Sequence, residues 1–241
     1  MESQNNVIVE FMGCSSVGKT TLAEAVRSQL IRENIRTDGT VGRESTAALA
    51  LRNFSITPMM GLRAASSRDS RRHLSETTGN IRDCDLSAFW TLARIAAGAR
   101  VIGEHSMRAD KATNGLTTLV DEGIMTTVQL AFARRAPAPN RATLAFAETV
   151  PLADLVVWLD ASPEMIVDRT LQRSDPPREW RALSKRDVCL MIDNTLCAYR
   201  TVASSTRVRD RMVAIQCRAG ESAATSNNVA LVVDAISSVV A

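Results

Sequence analysis

Short apolar runs alternate along the chain with segments in which apolar residues return every third or fourth position. Val7 to Met12 is an apolar, β-branched-rich run, broken by Glu10 and ending at Gly13, and it predicts a buried central strand. From Gly18 to about Asn34, Leu22, Val26, Leu30 and Ile31 fall at helical spacing with Glu24, Arg27 and Arg32 between them, which predicts the first helix. Thr37 to Val41 reads as a short second strand. TTLVDEG (Thr117 to Gly123) and DLVVWLD (Asp154 to Asp160) are apolar runs ending in acidic residues, as expected where strands three and four reach the carboxyl edge of a parallel sheet. Met125 to Arg134 is predicted helical, and the prolines of Ala136 to Asn140 stop it. Ser162 and Pro163 open a further helix that carries Arg169 and Arg173 one turn apart on one face. Met212 to Cys217 predicts a fifth strand, and the stretch from Ala223 packs as a closing helix.

The segment from about Ala47 to Lys111 has no strong strand pattern and many arginines, among them Arg63, Arg68, Arg71, Arg72, Arg82 and Arg94; it predicts helices and mobile loop. Length then narrows the picture. With 241 residues and 45% hydrophobic residues the chain suits one full α/β core with a helical insertion, not two domains. The formal charge of +3 comes without a lysine-rich tract or basic residues interleaved with aromatics, so nucleic acid is not the expected partner. Arginine forks suit phosphorylated small molecules instead. Five cysteines (Cys14, Cys84, Cys189, Cys197, Cys217) form no C-x-x-C pair, which argues against a disulfide framework or structural zinc and for a reducing, cytoplasmic setting. The N-terminal residues lack the pattern of a signal peptide. The apolar stretch Val229 to Val240 contains Asp234 and falls short of the roughly 20 residues that span a bilayer, so no membrane partner is expected.

The chemistry concentrates after the first strand. GCSSVGKT fits G-x-x-x-x-G-K-[ST], and a polyphosphate needs what this string supplies: inward-pointing backbone N–H groups, a helix N-terminus behind them, and a mobile cation. Gly13 and Gly18 permit the bend around Cys14, Ser15, Ser16 and Val17. Lys19 is placed to reach the β- and γ-phosphates of ATP, the Thr20 hydroxyl to ligate Mg2+, and Thr21 to support the α-phosphate side. Cys14 reads either as a thiol activated by the helix N-terminus or as an inert filler.

Asp121 and Glu122 close the third strand. Asp121 there can hold Mg2+ through water, or the pair can cap the next helix. Glu44, after the second strand, is either a base for an acceptor hydroxyl or a solvated turn residue. Arg169, Arg173 and Arg178 lie in DRTLQRSDPPREWR, which reads as a lid over about 169–186 or as a salt-bridged surface helix. Arg173 is the preferred phosphate ligand of the three. His73 and His105 have no metal-binding spacing and read as surface or loop residues. Trp90 reads as ordinary core, or as the wall of an acceptor pocket with Phe89 and Arg94.

The order of these elements resembles the P-loop nucleoside and nucleotide kinases, the group of thymidylate kinases, deoxynucleoside kinases and related small-molecule phosphotransferases. The phosphate loop comes first, an acidic strand end mid-chain, then PLADLVVWLDASPE at Pro151 to Glu164 and an R-x-x-x-R helix leading to a lid. The resemblance implies a P-loop NTPase three-layer sandwich with a parallel sheet in the order 2-3-1-4-5, and an acceptor side built by the arginine-rich insertion at about 51–111. Ser16 stands where nucleotide kinases often carry glycine, and Asp121-Glu122-Gly123 replaces their usual strand-three pattern. The Ser15-Ser16 pair looks like the loop of antibiotic-phosphorylating relatives, so the acceptor is a nucleoside, a nucleotide or a hydroxylated metabolite. An ATP-dependent kinase is the function expected, with an acceptor-independent ATPase, Glu122 activating water, as the competing one. A homodimer stands open.

Overall fold

The computed structural model describes residues 6–39, 61–84, 86–110, 116–134, 140–174 and 183–240. Five strands form one sheet: β1 (Val7–Met12), β2 (Thr37–Gly39), β3 (Thr117–Val120), β4 (Leu155–Asp160) and β5 (Met212–Gln216). Every pairing is parallel and the order is β2-β3-β1-β4-β5, the arrangement the resemblance implies. Val9 of the central strand lies opposite Leu119 on one side and Leu155 on the other. Crossover helices bring each strand back in the same direction, so all the strand ends that bear acidic residues open on one edge.

Alternation along the strands divides the core in two. Val7, Val9 and Phe11 join Leu155, Val157 and Leu159 in one cluster, with Leu22, Val26 and Leu30 of α1 (Lys19–Arg32) and Val232, Val233 and Ile236 of α9 (Ser226–Val240). Met12, Val156 and Trp158 point to the other face and pack with Val128 and Phe132 of α4 (Thr126–Phe132), Phe146 of α5 (Asn140–Ala147) and Tyr199 and Val202 of α7 (Lys185–Ser204). Glu10, between Val9 and Phe11, belongs by the same alternation to this second face.

Local capping sets several helix starts. The Ser162 Oγ accepts the Met165 N–H at 3.3 Å with Pro163 in the first turn, which opens α6 (Pro163–Leu171). Ser184 Oγ accepts the Asp187 N–H at 3.2 Å and donates to the Asp187 carboxylate at 2.6 Å, which opens α7. Among the described residues the insertion includes α2 (Arg68–Arg82), capped by Ser67, and α3 (Ala88–Asp110). A four-residue turn, α8 (Thr206–Arg209), leads into β5.

Three expectations change. Helix α6 ends at Leu171, so Arg173 lies beyond it and not on a helical face shared with Arg169. His73 and His105 are not surface residues: both are buried, His73 between Thr127 and Thr149, with ring nitrogens 3.1 and 3.2 Å from their hydroxyls. Trp90 and Phe89 are not core; they are exposed and stack edge to face on each other. Arg94 is buried apart from them and donates to the Leu130 carbonyl at 2.8 Å. No helix among the described residues is long and apolar enough to cross a membrane.

Candidate functional site

The loop from Gly13 to Gly18 leaves β1 at the carboxyl edge and feeds directly into α1. Its shape needs particular residues. Gly18 has φ 112°, and a Cβ there would come within 2.8 Å of Ala223 Cβ, so both the backbone and the neighbour demand glycine. Ser16 adopts a left-handed φ of 69°. The side chains of Cys14 and Val17 are turned into the core, and the Val17 N–H donates to the Cys14 carbonyl at 3.3 Å. Burial pushes the Cys14 thiol up to about 12, against a smaller pull from Lys19, so the inert-filler reading is the one that fits.

Lys19 folds back across the arc, its Nζ donating to the carbonyls of Gly13 at 2.8 Å and Cys14 at 3.1 Å. Thr20, one residue on, donates its hydroxyl to Oδ2 of Asp121 at 2.5 Å. The first residue after β3 is thereby brought against the first turn of α1, from positions about a hundred residues apart in sequence. Glu122 is exposed beside it, and Thr21 is exposed on α1. Ser15 Oγ lies 3.3 Å from Oε1 of Gln129 on α4, which adds a polar side chain to the rim that sequence reasoning did not single out.

The two arginines after β4 take different parts. Arg169 donates to the Val17 carbonyl at 3.0 Å and to the Glu221 carbonyl at 2.7 Å, tying the loop to the segment before α9. Arg173 donates to the Ser16 hydroxyl at 3.3 Å. Of the side chains meeting at the loop, Lys19, Thr20, Asp121, Ser15, Ser16, Arg169 and Arg173 were singled out in the sequence and Gln129 was not. Glu44, Arg178 and the other lid residues of 175–182 lie outside the described residues.

The residue the sequence did not assign is Glu10. It is buried on β1, and its Oε1 accepts the Met125 N–H at 2.5 Å. Burial raises its carboxyl to about 7, opposed by the Met125 amide, Arg108, the Ile124 amide and Lys19. The side chain of Met125, the N-cap residue of α4, makes no capping bond of its own. The carboxylate at the head of that helix is therefore Glu10, and not Asp121 or Glu122, so the capping alternative for the acidic pair fails. The sequence carried two signals for it: a lone acid inside an apolar strand, and Gly123 in the turn it faces.

Metal-binding side chains alone do not make a site here, since no group of three or more His, Cys, Asp or Glu converges among the described residues. The Thr20 and Asp121 oxygens are nonetheless hard donors at the carboxyl edge of the sheet, suited to a cation that takes its other ligands from phosphate and water.

The fold is α/β, a five-stranded parallel sheet in the order the resemblance implies, with the phosphate-loop motif at the end of its central strand. Sheet order, loop position and the acidic end of the neighbouring strand all agree with that resemblance. Among solved structures the chain is similar to the shikimate kinase of Bacteroides thetaiotaomicron, at 12% identity over 96% of this chain and 98% of that one, with a TM-score of 0.47. No family model and no curated protein matches the chain.

Proposed function

We propose that the protein is an ATP-dependent phosphotransferase that moves the γ-phosphoryl group onto a small-molecule acceptor. The observation that carries this reading is the 2.5 Å contact between Thr20 and Asp121, which joins the loop's hydroxyl to the acid of the adjacent strand beside Lys19. A phosphate loop by itself binds polyphosphate; a loop with an oxygen pair at its helical end is suited to polyphosphate with its metal.

In this reading the backbone N–H groups of Gly13 to Thr20 and the N-terminus of α1 cradle the phosphates, with Thr21 beside the α-phosphate. Lys19 supplies a positive charge near the β- and γ-phosphates. Thr20 and Asp121 hold Mg2+, which when bound neutralises charge building on the phosphate oxygens. Arg173, bonded to the Ser16 hydroxyl, sets a guanidinium against the transferring group, and the segment of about 169–186 closes as a lid that excludes water. For a hydroxyl acceptor, the exposed Glu122 takes the proton, with Glu44 as the other candidate base; for a phosphate acceptor no base is needed. The acceptor, a nucleoside, a nucleotide or a hydroxylated metabolite, enters from the side of α2 and α3.

ADP release by purified protein with Mg-ATP, alone and with pools of nucleosides, nucleoside monophosphates, sugars and aminoglycoside-like or phenolic alcohols, tests the proposal. Acceptor-dependent release is expected, and Lys19→Ala should lower it by about a hundredfold or more, as removal of a preorganised charge does. Full activity in that variant would overturn the assignment. Equal release without any acceptor would favour an acceptor-independent ATPase in which Glu122 activates water.

A further inference from the structure

We propose that Glu10 is a positioning residue for the metal side of the site: it pins the turn between β3 and α4 at both ends and so holds Asp121 against Thr20. The proposal rests on the kinase reading above. Its geometry is specific to one residue. The backbone of Glu10 pairs in register with Val120, the last residue of β3. The side chain of the same residue accepts the Met125 N–H at the head of α4. Residues 121–124, which include both candidate acids, are therefore strung between two attachments to Glu10.

Packing leaves this turn little room to drift. A Cβ at Gly123 would lie 2.6 Å from both Cδ and Oε1 of Glu10, so the turn passes directly over the carboxylate. The acid itself is 1% exposed and has no route to solvent as an alternative partner. A Ser, Thr or Asp at the helix start is the ordinary way to cap a helix locally. Drawing the carboxylate from the neighbouring strand does more, because it references the turn to β1, and β1 also carries the phosphate loop three residues further on. Loop and acid are thus aligned through one residue. Groups that orient metal ligands from behind are commonly worth about ten- to a hundredfold in metal affinity.

The test is a titration of Mg2+ at fixed ATP, with nucleotide binding followed by calorimetry, for wild type, Glu10→Ala, Glu10→Gln and Glu10→Asp. Glu10→Ala should raise the Mg2+ concentration required by about tenfold and leave ATP affinity in EDTA unchanged. Glu10→Gln should behave like wild type, since its amide oxygen can still accept the Met125 N–H. Hydrogen exchange of the amides at 121–127 should quicken in Glu10→Ala and not in Glu10→Gln. Should Glu10→Ala fail to fold, Glu10→Asp, with the charge kept and the reach shortened by one methylene, is expected to raise the Mg2+ requirement several-fold. Folded Ala or Asp variants with a wild-type Mg2+ requirement overturn the proposal, and so does a Gln variant as impaired as Ala. Metal-dependent binding that is equal in wild type and Glu10→Ala refutes this inference alone. Wild-type protein that binds no ATP with or without Mg2+ refutes the kinase reading, and this inference with it.

Discussion

Glu10 and Gly123 occupy one another's space, and that makes their substitutions interdependent. A methyl group added at Gly123 meets the Glu10 carboxylate at 2.6 Å and Val120 Cγ1 at 2.9 Å. The carboxylate cannot swing away without losing the Met125 N–H it accepts, and burial denies it water as a replacement. Gly123→Ala should therefore destabilise the protein by about 1–3 kcal/mol, the usual cost of overpacking. In a Glu10→Ala background the larger of the two clashes is gone, and the same substitution should cost less by about 1 kcal/mol. Urea unfolding of the four proteins in the cycle measures the difference. Strict additivity would mean that the turn yields elsewhere and that Glu10 does not confine it.

At the scale of elements, α6 and the residues just past it separate two arginines that share a motif. Arg169 staples the phosphate loop to the segment before α9 through two main-chain carbonyls, whereas Arg173 touches the loop only at Ser16. Arg169→Ala should lower stability by about 2 kcal/mol, since it deletes two charge-assisted bonds, and Arg169→Lys should not restore it because an ammonium lacks the fork that spans both carbonyls. Arg173→Ala should leave the melting temperature nearly unchanged while kcat falls by about a hundredfold. Thermal unfolding alongside steady-state kinetics distinguishes them, and a matched loss of stability in both variants would make Arg173 a second staple. The sequence pattern already contained the sheet and the loop, because buried parallel strands read as continuous apolar runs and GCSSVGKT is long enough to be specific. Helix α7 was not legible in the same way. Its buried face includes Asn194 and Thr195 among Val188, Met191, Ile192, Leu196 and Tyr199, and these polar members blur the apolar stripe. Glu10 escaped assignment for a related reason: its partner is a backbone amide distant in sequence, which side-chain patterns cannot display.

Across the whole molecule, three buried titratable groups lie on the α4 face of the sheet or in the helices covering it, and they pull stability in opposite directions as pH changes. Burial holds His73 down to about 3, with His105 and Arg207 adding to the effect. It also holds His105 down to about 4, with Arg108 adding and Asp154 opposing. For a histidine depressed below its ordinary 6.5, the unfolded chain takes up a proton before the folded one does. Stability is thus full above pH 6.5 and falls as pH drops toward the folded value. Glu10 has the reverse sign. Its carboxyl, raised from 4.5 to about 7, keeps its proton in the folded state after the unfolded chain has released it, so stability falls as pH rises through that window. Each group changes the folding equilibrium about tenfold per pH unit inside its window. Between about pH 4.5 and 6.5 the two histidines outweigh the one acid and stability rises with pH; between 6.5 and 7 only Glu10 acts and it declines. The contribution of the three groups therefore peaks near pH 6.5, and Glu10→Gln should steepen the rise below that point and abolish the decline above it. Denaturant unfolding from pH 4.5 to 8 checks this. A profile that is the same in wild type and Glu10→Gln would show that the Glu10 carboxylate is already ionised in the folded protein across the range, held by the Met125 and Ile124 amides, Arg108 and Lys19 against its burial.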